Sequence, residues 1–124
     1  IDIPSNITFH KSGVVELLEA DYRFDFVISN HLIHHLSKSE IQTLARRTEA
    51  LCNHKVIFND IERSDLAYLF FSLFIGPFFR NSFAARDGRR SIRRSYTQKE
   101  LREHLPTEWS VDRQFPYRLV ATYH

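Results

Sequence analysis

The chain has 124 residues and a formal net charge of +2 at neutral pH, so its length limits it to a single domain with one core. The small net charge gives no reason to expect a nucleic-acid partner. Cys52 is the single cysteine, which excludes a disulfide within the chain and is typical of a reducing compartment, so we expect a cytoplasmic protein. The sequence contains no methionine, and we expect residues 1–124 to be one partial domain, a fragment of a longer protein.

The first part of the chain predicts a short strand and a short helix. Residues 7–11 alternate apolar and polar side chains, as a half-buried strand does. Ser12 and Gly13 follow, and residues 14–20 then predict a helical segment. The simplest interpretation of Ser12 and Gly13 is an ordinary turn from strand to helix.

Residues 24–36 form the stretch around which the rest of the chain is organised. Apolar and partly β-branched residues at its start predict a strand that is covered on both faces, as in a parallel sheet. The polarity then changes abruptly at Asn30 and His31, and two more histidines follow, His34 and His35. Because ligands bind beyond the carboxyl ends of strands in open α/β sheets, we expect these side chains at a binding edge.

A helix and a second buried strand come next. Ser37 and Glu40 have the spacing of a capping box, and the apolar residues that follow predict an amphipathic helix over residues 37–51. We expect Asn53 to end this helix in the left-handed conformation. Residues 56–58 predict the strand.

The end of that strand is a second candidate site. Asp60 lies at its carboxyl end, where the sequence favours a functional role and a helix-capping role equally. Glu62 and Arg63 follow, and they are either part of this site or a surface ion pair with each other.

Residues 66–79 are almost continuously apolar. The run is too short to span a membrane and Gly76 and Pro77 interrupt it, so we expect no membrane span. One interpretation is a helix in the core or an interface, and the other is an apolar wall over a substrate, to which Tyr68 and Phe71 would belong. A membrane-surface role is not expected, because the helix itself lacks a charged face.

The last third of the chain begins with five arginines in residues 86–94. They surround Asp87 and Gly88, which predict a turn, so this segment is expected to be a basic loop, either solvated or anion-binding. Thr97 and Glu100 form a second capping box, before a helix that reaches His104. Residues 109–115 and 117–123 predict two antiparallel strands joined at Pro116.

Four segments resemble the Rossmann-like S-adenosylmethionine-dependent methyltransferases. Residues 24–36, with Phe-Asp-Phe-Val-Ile-Ser-Asn and Leu-Ile-His-His-Leu, look like the family's fourth strand and the segment after it. Residues 55–63 are similar to the fifth strand, residues 94–101 to the start of the helix before the last two strands, and residues 6–24 to the third strand and its loop. The resemblance covers nearly the whole chain but only the C-terminal portion of such an enzyme, because three glycines cannot supply the family's glycine-rich cofactor loop.

The resemblance implies an α/β fold, the C-terminal portion of a doubly wound Rossmann-like sheet that is mostly parallel and closes with an antiparallel hairpin. The family's strand order is three, two, one, four, five, seven, six. Strands one and two have no counterpart here, so strand four, at residues 24–29, would have an open apolar edge. We expect self-association of the chain through this edge, or its pairing with the strand predicted at residues 7–11.

The resemblance also implies S-adenosylmethionine as the cofactor, and methyl transfer by the parent protein to a small apolar acceptor, at oxygen or an activated carbon. We expect the fragment itself to be inactive. Gly13 stands where the family commonly has an aspartate that binds the adenine amino group, so adenine recognition would use backbone groups or be weakened. The implied cofactor-binding residues are Ser12, Gly13, Val14, Asn30, His31 and His35. The implied substrate-binding residues are Asp60, Arg63, Tyr68 and Phe71.

A catalytic base is required only when the acceptor holds a proton at neutral pH, and histidine is the natural side chain for it. His31 is the first candidate and His34 the second, the alternative being that they are structural. The two remaining function classes are a non-catalytic methyltransferase-like module for oligomerisation or partner binding, and an RNA methyltransferase that uses the arginines. The spacing of the histidines could suit zinc, but no third ligand follows, so we expect no metal.

Overall fold

The structure, a computed structural model, describes residues 5–79 and 83–124. Within these residues, one sheet has the strand order β1-β2-β4-β3. Strand β1 is parallel to β2, and β4 is antiparallel to both β2 and β3. The α/β class and the closing antiparallel hairpin are therefore confirmed. The sheet is mixed and not mostly parallel as expected, because β1 with β2 is the one parallel pair among the three described strand pairs. The strands are β1 (Phe24–Asn30), β2 (Cys52–Ile61), β3 (Ser110–Gln114) and β4 (Arg118–Tyr123).

Five helices and three short turns of helix connect and cover the described strands. The helices are α1 (Val14–Glu19), α2 (Lys38–Leu51), α3 (Asp65–Phe70), α4 (Phe83–Arg94) and α5 (Gln98–His104). The short turns are 3₁₀ turns at Ile33–His35 and Gly76–Phe79 and a π-helical turn at Phe71–Ile75. Among the described residues, no helix has the length and apolarity that crossing a bilayer requires.

Both predicted capping boxes are confirmed. The Ser37 hydroxyl accepts a hydrogen bond from the Glu40 amide, and the Glu40 carboxylate accepts one from the Ser37 amide. Thr97 and Glu100 make the same reciprocal pair at the start of α5. These bonds satisfy amides that the first turn of a helix leaves without partners, which fixes where α2 and α5 begin.

One core holds the sheet against α2 and α5. Alternate residues of β2, Val56 and Phe58, face this core, and the Phe58 ring lies 4.7 Å from the Trp109 ring. The alternation reflects the period of two along a strand. The buried members of the cluster are Ile33, Ile41, Ala45, Val56, Phe58, Leu101, Leu105, Trp109, Val111, Leu119 and Ala121.

Two predicted backbone features at the N-terminal side of the sheet are wrong. Residues 7–11 lie in the described part of the chain and form no strand, since none of the described strands pairs with them. Asn53 does not take the left-handed conformation, because α2 passes directly into β2 through an extended Cys52. The expected re-pairing of residues 7–11 with strand four therefore does not occur, and β1 is an edge strand.

The predictions for residues 66–94 are also corrected. The arginine-rich segment is not a loop around Asp87 and Gly88 but part of α4. Close packing explains the glycine at position 88, since Gly88 forms no turn. A Cβ at this position would lie 2.5 Å from the Cζ atom of Phe71. The apolar segment is not a core helix either, since most of its large apolar side chains are exposed and Ala67 is the one buried residue of α3.

Candidate functional site

The carboxyl ends of β1 and β2 lie side by side at one edge of the sheet. Asn30 is the register partner of Asn59, whose amide nitrogen donates a 2.9 Å hydrogen bond to the Asn30 side-chain oxygen. His31 follows with a φ of 55°, and its backbone amide donates to the Asn59 carbonyl at 2.9 Å. A positive φ is uncommon outside glycine, and here it turns the chain sharply as it leaves the strand.

Asp60 of β2 binds His34, which follows β1. The Asp60 Oδ1 atom lies 2.7 Å from His34 Nδ1, and Oδ2 accepts a 2.9 Å hydrogen bond from the His34 amide. Oδ1 also accepts from the Ile61 amide at 2.7 Å. Both side chains are buried, so this is a desolvated pair whose donors all have an acceptor.

His31 and His35 complete the cluster around this pair. His31 Nδ1 lies 4.0 Å from Asp60 Oδ1, and the His31 side chain is half exposed. The His35 ring lies 4.0 Å from the His34 ring, measured between centroids. The structure thus brings together the three predicted histidines and Asp60 at the edge where β1 and β2 end.

The core and a tyrosine hold the 3₁₀ turn at Ile33–His35 in place. Ile33 is buried in the core, which anchors the turn beneath the histidines. The Tyr96 hydroxyl donates a hydrogen bond to the Leu36 carbonyl. Burial, together with the carboxylates of Glu100 and Glu40, raises the pKa of Tyr96, so the hydroxyl keeps the proton that it donates.

The geometry defines what the pair can do chemically. When the Nδ1–H group of His34 donates a hydrogen bond to Asp60, the lone pair of the neutral imidazole lies on Nε2. In this tautomer, Nε2 is the atom that can accept a proton. His31 offers a second imidazole that is more exposed to solvent.

The predicted cofactor residues fall into two groups. Ser12, Gly13 and Val14 lie at the start of α1, where Gly13 is the N-cap and makes no side-chain cap hydrogen bond. Asn30, His31 and His35 lie at the exit of β1. Of these six residues, Val14 alone lines an open depression of about 280 Å³, to which Leu32 also contributes. Its lining residues are Val14, Leu32, Leu36, Ser39, Glu40, Thr43, Leu44 and Arg47.

One interpretation of the sequence paired Arg63 with Glu62, and the structure shows that each has a different partner. The Arg63 guanidinium binds the Glu100 carboxylate and the Ser95 carbonyl, while Glu62 binds Arg113 at 2.6 Å. Arg63 therefore ties the end of β2 to α5, and its charge already has a partner.

Tyr68 and Phe71 lie against α4. The Arg93 guanidinium carbon lies 4.9 Å from the Tyr68 ring centroid, within cation–π distance, and Phe71 packs on Gly88. Helix α4 in turn contacts the Ile33–His35 turn. The two predicted substrate residues are thus connected to the histidine cluster through α4.

The pairing of Asp60 with His34 was not predicted, although both residues were candidates for the site. The signal was present, since parallel strands end at the same edge of a sheet and both residues follow such strands. Tyr96 and Glu100 were missed as supports, and their role depends on tertiary contacts that have no local signature.

The described residues include no group of three or more His, Cys, Asp or Glu side chains arranged to hold a metal ion. In comparisons with known proteins, the sequence matches no family model and no curated protein.

Proposed function

We propose that the parent protein of this chain is an S-adenosylmethionine-dependent methyltransferase that acts on a small apolar acceptor at oxygen or an activated carbon. The observation that supports this most is the strand order. The family that the sequence resembles places its last four strands in the order four, five, seven, six, with strand seven antiparallel. Strands β1, β2, β4 and β3 lie in this order, with β4 antiparallel to β2.

The position of the histidine cluster supports the same proposal. A ligand of an α/β sheet binds beyond the carboxyl ends of its strands, where His31, His34 and Asp60 lie. In the proposed reaction, the imidazole of His31 takes the proton of a hydroxyl acceptor, and the buried pair of His34 and Asp60 supports the turn that follows it. His31 is the candidate for contact with the acceptor because its side chain is half exposed.

The residues beside the exit of β1 fit the adenosyl part of the cofactor. Val14, Leu32 and Leu36 offer apolar surface to a flat ring, and Ser39 and Arg47 add polar groups to the same depression. Gly13 provides no side chain for the adenine amino group, so backbone groups would have to recognise it. When bound, the cofactor supplies an activated methyl group, and the protein's task is to align the acceptor with it.

Isothermal titration of the parent protein with S-adenosylmethionine tests the proposal. We expect saturable binding, with the isolated chain of 124 residues binding weakly or not at all. An absence of binding by the parent protein at millimolar cofactor would contradict the proposal. A second check is the preceding sequence, in which a Gly-x-Gly-x-Gly loop is expected roughly 60 residues before residue 1, given the size of a βαβαβ unit.

The second candidate is a non-catalytic module of methyltransferase-like fold that serves oligomerisation or partner binding. The open edge of β1 favours it, since Phe26 and Ile28 are 60% and 63% exposed there. A parent protein that lacks the glycine-rich loop and assembles through β1 would support this module over the enzyme.

A further inference from the structure

The segment between β2 and α4 exposes an extensive apolar surface. Seven of its large side chains are exposed, and Phe78 is 85% exposed. They include long aliphatic chains as well as aromatic rings, and α3 buries only Ala67. Soluble monomers rarely expose so many large apolar side chains in one continuous segment. The seven are Leu66, Leu69, Phe70, Leu73, Phe74, Ile75 and Phe78.

Helix α4 packs beside this segment and is itself two-faced. Its inner face carries Gly88, which contacts Phe71, and the buried Ile92. Its outer face carries Phe83, which is 89% exposed, with Arg86 and Arg90 at helical spacing from it. These three residues and Asp87 line an open depression of about 400 Å³.

We propose that this surface, formed by residues 66–79 and 83–94, binds the surface of an anionic phospholipid bilayer. Exposed leucine, isoleucine and phenylalanine side chains insert among the acyl chains, and Arg86 and Arg90 of α4 bind the lipid phosphates. Apolar burial and basic charge are each weak alone, and together they hold a protein at a membrane without a spanning helix. The inference does not depend on methyl transfer.

From the sequence alone, a membrane-surface role was not expected, because the apolar helix itself lacks a charged face. The charged face lies on α4, which contacts α3 and both short turns of residues 71–79. Arg93, stacked on Tyr68, marks the line where the two meet.

An anionic bilayer fits this surface better than a second copy or a nucleic acid. In a two-fold contact centred on α4, Arg86 and Arg90 of each copy would lie near those of the other, which opposes association. Single-stranded RNA stacks on aromatic rings, but it leaves Leu66, Leu69, Leu73 and Ile75 without a partner. Acyl chains match these side chains and phosphates match the arginines.

Co-sedimentation of the chain with lipid vesicles tests the proposal. We expect binding to phosphatidylcholine vesicles that contain phosphatidylserine, little binding to pure phosphatidylcholine, and loss of binding in high salt. The double variant Arg86→Gln/Arg90→Gln should partition about 25-fold more weakly, at roughly fivefold for each arginine. Phe74→Ser/Phe78→Ser should also abolish most of the binding.

Matched controls keep the test specific. The variant Lys38→Gln/Arg46→Gln removes two exposed charges from α2. The variant Phe115→Ser removes a ring that is 96% exposed beyond β3. Both control variants should bind vesicles as the unaltered chain does. Circular dichroism checks that each variant is folded, and the arginine pair and the salt series decide the question if the phenylalanine variant is not.

Several results would overturn the proposal. These are no binding to anionic vesicles at millimolar lipid, equal binding to neutral vesicles, or unchanged binding by a folded arginine variant. A chain that binds RNA through Arg86 and Arg90 but no vesicle would assign the surface to nucleic acid. Dimers that disappear with Phe74→Ser/Phe78→Ser, in a chain that binds no lipid, would assign it to a second copy.

Discussion

At the scale of single residues, Asp60 accepts hydrogen bonds from three donors, two of them on His34. Asp60→Ala would leave these donors without an acceptor in a buried place. We expect the free energy of unfolding to fall by about 3 kcal/mol, measured by chemical denaturation. Asp25→Ala removes an exposed carboxylate and should change it by about 0.5 kcal/mol at most. Equal losses in the two variants would contradict the buried pair.

Glu100 gives a prediction for pH. Its pKa is lowered, first by the hydrogen bond from the Thr97 amide and then by the Arg63 guanidinium. A carboxyl whose pKa falls on folding stabilises the folded state above its unfolded pKa, and this contribution is lost as the pH falls through the folded pKa. Glu100→Gln should therefore flatten the decline of stability below about pH 4.3, the ordinary glutamate value.

The matched control for this pH profile is Glu103→Gln, an exposed glutamate of the same helix, which should keep the decline. Unfolding followed by circular dichroism from pH 6 to pH 3 measures both variants. An unchanged decline in Glu100→Gln would show that the second capping box does not contribute to acid stability.

Asn30 tests the cofactor side of the site. Its side-chain oxygen accepts from Asn59, and the residue is exposed at the exit of β1. In the parent protein, Asn30→Leu should weaken S-adenosylmethionine binding, because an apolar branch replaces a polar group at that exit. Titration calorimetry measures the affinity, with the exposed Asn53→Leu as the control. Equal affinity of Asn30→Leu and the unaltered protein would move the site elsewhere.

At the scale of elements, Gly88 shows why α4 could not be foreseen. Alanine normally stabilises a helix relative to glycine by about 1 kcal/mol. Here a Cβ would press on the Phe71 ring, so we expect Gly88→Ala to lower the free energy of unfolding by about 1–3 kcal/mol. In a Phe71→Leu background the same change should be neutral or stabilising. A stabilising effect of Gly88→Ala in the unaltered chain would contradict this packing.

The edge of β1 gives a prediction for association. If two copies pair antiparallel about Val27, Phe26 of each lies opposite Ile28 of the other, and an aromatic ring beside a β-branched chain is a favourable cross-strand pair. We therefore expect dimers in sedimentation equilibrium and a monomer for Ile28→Lys, since an edge lysine blocks pairing. A stable monomer at high micromolar concentration, with β1 amides protected from exchange, would show that the edge is closed within one chain.

Local rules predicted the elements whose signals are local. The spacing of Ser37 and Glu40 fixed the start of α2, and the break at Pro116 separated the strands that became β3 and β4. Asp87 and Gly88 led to the wrong prediction of a turn, because their local turn propensity is overridden by the contact of Gly88 with Phe71. Residues 7–11 have a strand's alternation, but a strand also needs a neighbour, and alternation alone does not supply one.

The candidate site was predictable in its place but not in its contacts. The change from apolar to polar residues at Asn30 marked the edge where His31, His34 and Asp60 lie together. The register of β1 on β2 decides which histidine is buried and brings that histidine to Asp60, which orients it. Arg63 was expected to face a substrate, and its bond to Glu100 depends on how α5 packs.

At the scale of the whole molecule, the described residues combine a core against the sheet, a histidine cluster at the carboxyl ends of β1 and β2, and an exposed apolar flank. The core with α2 and α5 supports the strands from one face, and the strand ends hold the histidine cluster. The flank of residues 66–79 contacts α4, and α4 reaches the Ile33–His35 turn. In the proposed enzyme, α4 would therefore connect the membrane-facing surface with the site.

The most direct test of the proposed function is photochemical labelling of the parent protein by radioactive S-adenosylmethionine under ultraviolet light, followed by mapping of the labelled peptide. The proposal predicts label within residues 24–36, at the exit of β1, and loss of that label when unlabelled cofactor competes. Label confined to other parts of the protein, or label that unlabelled cofactor does not displace, would contradict it.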